Sequence, residues 1–222
     1  MLKRVLVTAV LLLATAQGAA AQRWDAPLFF SPRQHDDIGV YYVRTDRDDD
    51  FVNDESNGLK FIWRQSGNLN LGVHLGTGDI ENIGESILLG AELSGPLAGI
   101  GAGTGLLVNW SAGIGAAFGD LGNDVDYIDF SVPVGVSLGL RLGSGSTVLV
   151  PFIHPRVSLD VVSVTVADVE ETETEVGFAA DLGAEFGLGE RFLLRGAYTF
   201  GKDRDALGVG LAYRIPRGVV VR

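Results

Sequence analysis

His154, Ser158 and Asp160 carry the side chains of a nucleophilic relay, an imidazole, a hydroxyl and a carboxylate, within "HPRVSLD". A triad needs hydrogen-bond contact, about 2.6–3.2 Å, between successive members. Here the three alternate along an extended segment, where residues two apart are already about 6.6 Å distant. The spacing therefore predicts one strand face and no relay. His35 and His74, the other histidines, have no comparable partners in sequence, and no enzyme activity is expected. A second chemistry is offered by "DRDDDFVNDESNG", whose Asp46, Asp48, Asp50 and Asp54 suit a hard cation such as calcium. The segment lacks the glycine turn and closing glutamate of an EF-hand. It reads as a solvated acidic loop, and no metal site is expected. "GIGAGTG" at 99–105 lacks the Lys-Ser/Thr ending and the strand–helix setting of a phosphate loop. No cofactor is expected.

The chain has 222 residues, enough for one sizeable domain, with 31 glycines and no cysteine. Disulfides and thiolate metal sites are thereby excluded. "MLKRVLVTAVLLLATAQGAAAQ" joins a basic start, a short apolar run and a small-residue end, the design of a secretory signal peptide over residues 1–22. Removing Lys3 and Arg4 with it takes the formal charge from −11 to −13. So acidic an exported chain is not expected to bind nucleic acid.

Residues 23–37 show no period and form an N-terminal arm. From residue 38 to 215 one pattern repeats: large apolar residues alternate with small or polar ones, then a turn intervenes. Strict alternation means β-strands with two unlike faces. Ten such segments are expected, at 38–45, 58–65, 68–77, 85–94, 104–118, 126–142, 146–161, 173–188, 191–200 and 206–215, with a tail at 216–222. The connections alternate between short turns, as in "QSGN", "GSGS" and "GLGE", and longer acidic ones, as in "VTVADVEETETE". Pro151 and Pro155 fall inside one segment, where a bulge is expected.

In "ALGVGLAYRI" Leu207, Val209, Leu211, Tyr213 and Ile215 share one face, and Ala206, Gly208, Gly210, Ala212 and Arg214 share the other. A water-facing strand avoids so much glycine, which weakens it. A narrow lumen, by contrast, needs small residues. The large face is therefore expected outside, against lipid, with the barrel closed to satisfy its backbone. Trp63, Phe192 and Tyr213 would then form one interfacial belt, and Phe118 and Phe200 the other.

With this leader, this alternation and end strands such as "RFLLRGAYTFG" and "LGVGLAYRI", the chain resembles the small eight- to ten-stranded outer-membrane β-barrels of bacteria. The resemblance covers the leader and nearly all of 38–215. It implies an all-β, antiparallel up-and-down transmembrane barrel, ten-stranded, or eight-stranded if the first hairpin stands outside the wall. It implies location in the outer membrane of a diderm bacterium, as a monomer. The partners it implies are outer-membrane lipid, lipopolysaccharide and the barrel-insertion machinery. Members usually end on an aromatic residue, whereas "PRGVVVR" follows Tyr213 and Ile215 here.

Inward positions then carry Lys60, Arg64, Glu92, Asp129, Arg141, Arg156, Asp181, Glu185, Arg195 and Arg214, with His74, His154 and Asp160. Charges of both signs in a narrow lumen must pair. The expected function is a largely plugged barrel with a structural or surface-interacting role through acidic loops. The alternatives are a narrow passive channel, or a soluble exported barrel that turns its large face inward around an apolar ligand.

Overall fold

The computed structural model describes residues 27–49, 52–80, 84–97, 105–120, 125–144, 147–166, 169–201 and 204–216. The leader, Asp50 and the end of the tail lie outside these residues. The strands are β1 (Asp37–Asp49), β2 (Val52–Gln65), β3 (Asn70–Ile80), β4 (Gly84–Pro96), β5 (Leu106–Asp120), β6 (Val125–Leu140), β7 (Leu142–Ser144), β8 (Thr147–Val166), β9 (Val169–Leu188), β10 (Phe192–Gly201) and β11 (Arg204–Arg214). Each pairs antiparallel with its neighbours, and β1 is bonded to both β2 and β11. The short β7 continues β6, both pairing with β8 in one register, so the eleven strands make ten staves. Apart from the three-residue β7, which is bonded only to β8, every described strand is paired on both sides. The first hairpin is part of the wall, which settles ten staves over eight.

The two faces divide as the alternation requires. On β11, Leu207, Val209 and Leu211 are exposed outside, while Ala206, Gly208 and Ala212 are buried inside. On β9, Phe178 and Leu182 are exposed, and Asp181 and Glu185 are fully buried. A soluble barrel around an apolar ligand needs the opposite orientation and is excluded. In water, so continuous an apolar belt would be an aggregation surface. Phe192 packs edge-on against Tyr213 at 5.6 Å near the short turns, beside outward Trp63. Phe118 and Phe200 lie exposed toward the long hairpins.

The structure corrects three expectations. The acidic stretch at 46–58 is mostly ladder and not loop: β1 runs to Asp49 and β2 begins at Val52. Asp46 pairs with Glu55, Asp48 with Asn53, and Arg47 with Asp54, so a paired hairpin replaces the expected solvated loop. Likewise most of "VTVADVEETETE" belongs to β8 and β9, each 20 residues long. At about 3.3 Å per residue that hairpin is roughly 65 Å of chain, far beyond the ~25 Å apolar band of such barrels. Val162, Val164, Val166, Thr172 and Thr174 keep β-favouring residues in both arms despite the charges. The bulge at Pro151 and Pro155 does not form either. The β8–β9 register is unbroken, and on the other side the β6–β8 ladder skips its bonds beside both prolines. Proline has no N–H to donate, and Gly135 and Gly139 of β6 let the two backbones approach there.

Candidate functional site: the filled lumen

The arm does not hang free. Residues 27–36 run down the inside of the barrel from mid-height to the turn end, where the chain reverses into β1. Leu28, Phe29 and Phe30 are among the most buried residues of the molecule. An extended segment in a lumen must have its carbonyls satisfied. Three walls supply the donors: Arg64 Nη2 donates to Leu28 O at 2.7 Å, Ser137 Oγ to Phe30 O at 2.7 Å, and Asn109 Nδ2 to Pro32 O at 2.7 Å. At the mouth Asp36 Oδ1 accepts from Ser66 N and Oγ, and Ile215 N donates to Asp36 O at 2.7 Å. Phe29 stacks on Tyr41 with centroids 4.2 Å apart, and Phe30 on His154 at 5.1 Å. The small residues of the lumen face make this room. A Cβ on Gly208 would lie 2.3 Å from Phe29 Cζ, and one on Gly139 would lie 2.6 Å from Pro32 Cγ.

The charges beside the arm form three paired clusters. Nearest the turns, Arg195 Nη2 meets Asp37 Oδ2 at 2.5 Å, its Nε meets Glu185 Oε2 at 2.9 Å, and its Nη1 donates to Tyr41 Oη at 2.9 Å. His35 Nε2 lies 3.2 Å from Glu185 Oε1. Next, Glu92 takes Arg64 Nε at 2.6 Å and His74 Nε2 at 2.9 Å. At mid-height Asp181 takes Arg156 Nη1 on both oxygens at 2.7 and 2.6 Å, and Thr199 Oγ1 at 2.7 Å. Lys60 is fully buried between the last two clusters, within electrostatic reach of Asp181 and Glu92. Charge-assisted, multiply bonded pairs are what a low-dielectric lumen tolerates.

Of the charges assigned inward, Lys60, Arg64, Glu92, Arg156, Asp181, Glu185 and Arg195 come together in these clusters. Asp129 is buried on β6 nearer the long hairpins, in register with Ala117 and Val162. Arg214 is half-buried at the turn end, where its Nη1 donates to Glu190 O at 3.4 Å. Arg141 is a correction. It sits in the break between β6 and β7, exposed at the rim, its N–H bonded to Gly105 O at 2.8 Å. Its face parity is inward, but the lumen ends below it.

Ser158 and Asp160 do not join His154. Ser158 Oγ donates to Asp160 Oδ2 at 2.6 Å, and Ser131 Oγ binds the other oxygen. His154 instead bridges Asp181 Oδ2, 3.3 Å from Nδ1, and Ser111 Oγ, 2.8 Å from Nε2. That order of groups is a relay in outline. Yet all three are buried, Asp181 is occupied by Arg156 and Thr199, and Phe30 covers the imidazole, so no substrate reaches it. Ser111, Asn109, Ser137, Asp37 and Tyr41 were not singled out by sequence. For four of them the signal was parity, each standing at an inward position of its strand, whereas Asp37 fell in the expected arm and β1 in fact begins with it.

No protein-family model matches the chain, and no curated protein matches its sequence. Among solved structures it is similar to the Neisserial surface protein A, NspA (TM-score 0.43, 10% identity, 81% of this chain and 96% of that one). It is also similar to the β domain of the Bordetella autotransporter Brka (0.41, 10%, 82% and 100%). A third is Ail, the attachment invasion locus protein of Yersinia pestis (0.38, 12%, 82% and 100%). The structures it resembles are bacterial outer-membrane β-barrels; at such identities no role passes from them to this chain.

Proposed function

We propose that this chain is an outer-membrane barrel closed to solutes, which anchors tall acidic hairpins at the cell surface. The observation that carries it is the filled lumen: an arm bonded to three walls and flanked by buried ion pairs. The short turns, the start of β1 and the end of β11 then lie on the periplasmic side, and the β1–β2 and β8–β9 hairpins outside. The outward apolar face contacts lipid. The acidic hairpins meet the lipopolysaccharide layer, where divalent ions bridge their carboxylates to its anionic groups. The barrel acts as a monomer and performs no reaction; the buried Ser111, His154 and Asp181 serve the arm's seat. The chain reaches this membrane through the barrel-insertion machinery.

Ion conductance of the refolded mature chain in a planar lipid bilayer tests this. Folded protein, verified by its gel-mobility difference with and without boiling, gives no unitary steps. Steady steps from such protein overturn the closed-lumen proposal and favour the narrow channel.

A further inference from the structure

At the periplasmic mouth five side-chain donor nitrogens among the described residues stand without an acceptor: Nε and Nη2 of Arg214, and three around one cavity. Arg33 Nη1 and Gln34 Nε2 of the arm and Arg64 Nη1 of β2 are buried and make no hydrogen bond among the described residues. All three residues line one cavity, together with His35, Glu92 and Arg195. The neighbouring polar groups are already engaged. Arg195 is saturated by Asp37, Glu185 and Tyr41, and Glu92 by Arg64 Nε and His74. Arg33 Nη1 lies 3.9 Å from Glu185 Oε1, an ion-pair separation beyond hydrogen-bond reach.

The surplus is one of donors. A single water accepts two hydrogen bonds and leaves one of the three nitrogens unmet. A carboxylate presents about four lone-pair sites and meets guanidinium groups in matching geometry. The cavity holds about 20 Å³, the room of one ordered water, so a ligand can place no more than one small polar head there. Charge favours an anion there. Besides the Glu185 carboxylate, Arg214, Arg141 and Arg195 all act on Arg33, so arginines gather at this mouth in a chain of net charge −11.

We propose that the mouth binds a single carboxylate group between the arm and β2, with Arg33, Gln34 and Arg64 as its donors. The ligand is a free small carboxylate or the carboxylate end of a longer periplasmic molecule. The site rests on the geometry of the mouth and stands whether or not the lumen conducts.

The test is an NMR titration of the whole mature chain in micelles, following the arginine and glutamine side-chain N–H signals. Sodium formate is compared with sodium chloride at constant ionic strength. Formate should give saturable shifts at Arg64 and Gln34 that chloride does not. Arg33→Ala and, separately, Gln34→Ala should each weaken apparent affinity about tenfold or more, with the rest of the spectrum unchanged. A short peptide with a free C-terminus is compared with its amide. Saturation by the acid at lower concentration than formate assigns a chain end, and equal or weaker binding assigns a free anion; both support the site. Absence of saturable shifts, identical shifts with chloride, or unaltered affinity in Gln34→Ala would overturn it, leaving a water in the cavity.

Discussion

Gly208→Ala adds one methyl group at the place where wall and arm touch most closely. The new Cβ would lie 2.3 Å from Phe29 Cζ and 2.9 Å from Cε1, against the 3.4–4 Å of ordinary contact. Gly208 cannot retreat, because it is laddered to Val43 on β1 and Ala197 on β10. Nor can Phe29 rotate freely. Its ring is stacked on Tyr41, whose hydroxyl is held by Arg195. Overpacking a site this confined costs about 1–3 kcal/mol, roughly a 5- to 150-fold fall in the folding equilibrium. Phe29→Ala by itself should cost about 3–5 kcal/mol, since it empties a fully buried aromatic site. In that background the nearest remaining atom is Val43 Cγ2 at 3.2 Å, so Gly208→Ala should cost much less. The double-mutant cycle should therefore show a coupling of about 1–3 kcal/mol in the compensating direction. Urea unfolding in lipid vesicles, followed by tryptophan fluorescence and gel mobility, measures all four corners. An equal loss from Gly208→Ala in both backgrounds would refute the packing of Phe29 against β11.

Three further outcomes follow from the lumen. Arg195→Ala leaves Asp37 and Glu185 buried without their shared cation, so unfolding should become easier by about 3–5 kcal/mol in the same urea assay. Deleting residues 23–36 empties the centre while keeping every stave, and the truncated barrel should show ion conductance in a planar bilayer where the intact chain shows none. Shortening β8 and β9 together by removing residues 163–172 takes away only paired hairpin beyond the apolar belt; urea unfolding should shift by less than about 1 kcal/mol.

Much of the wall was legible from sequence because period-two alternation survives over whole strands. Val176 to Leu188 on β9 and Leu207 to Leu211 on β11 declare their outer face by alternation alone. The ends of the strands were less legible, since charge masked the pattern. In "VTVADVEETETE" the glutamates suggest a loop, while the valines and threonines hold a ladder. The arm was illegible for another reason. It has no period, and its partners Gly208, Ser137 and Asn109 lie on three separate strands, so only the closed barrel brings them to Phe29, Phe30 and Pro32. The lumen glycines signalled a tight interior without saying what filled it. Pairings such as Asp37 with Arg195 span 158 residues, a separation over which local pattern carries no information.

The most direct measurement is of the arm itself. Proton–proton nuclear Overhauser contacts, recorded on the mature chain in micelles, report whether the Phe29 ring touches the Gly208 Hα and the Tyr41 ring. Strong cross-peaks to both are predicted by a seated arm. Sharp, random-coil signals for residues 27–36, with no contact to either strand, would contradict it and leave the lumen open.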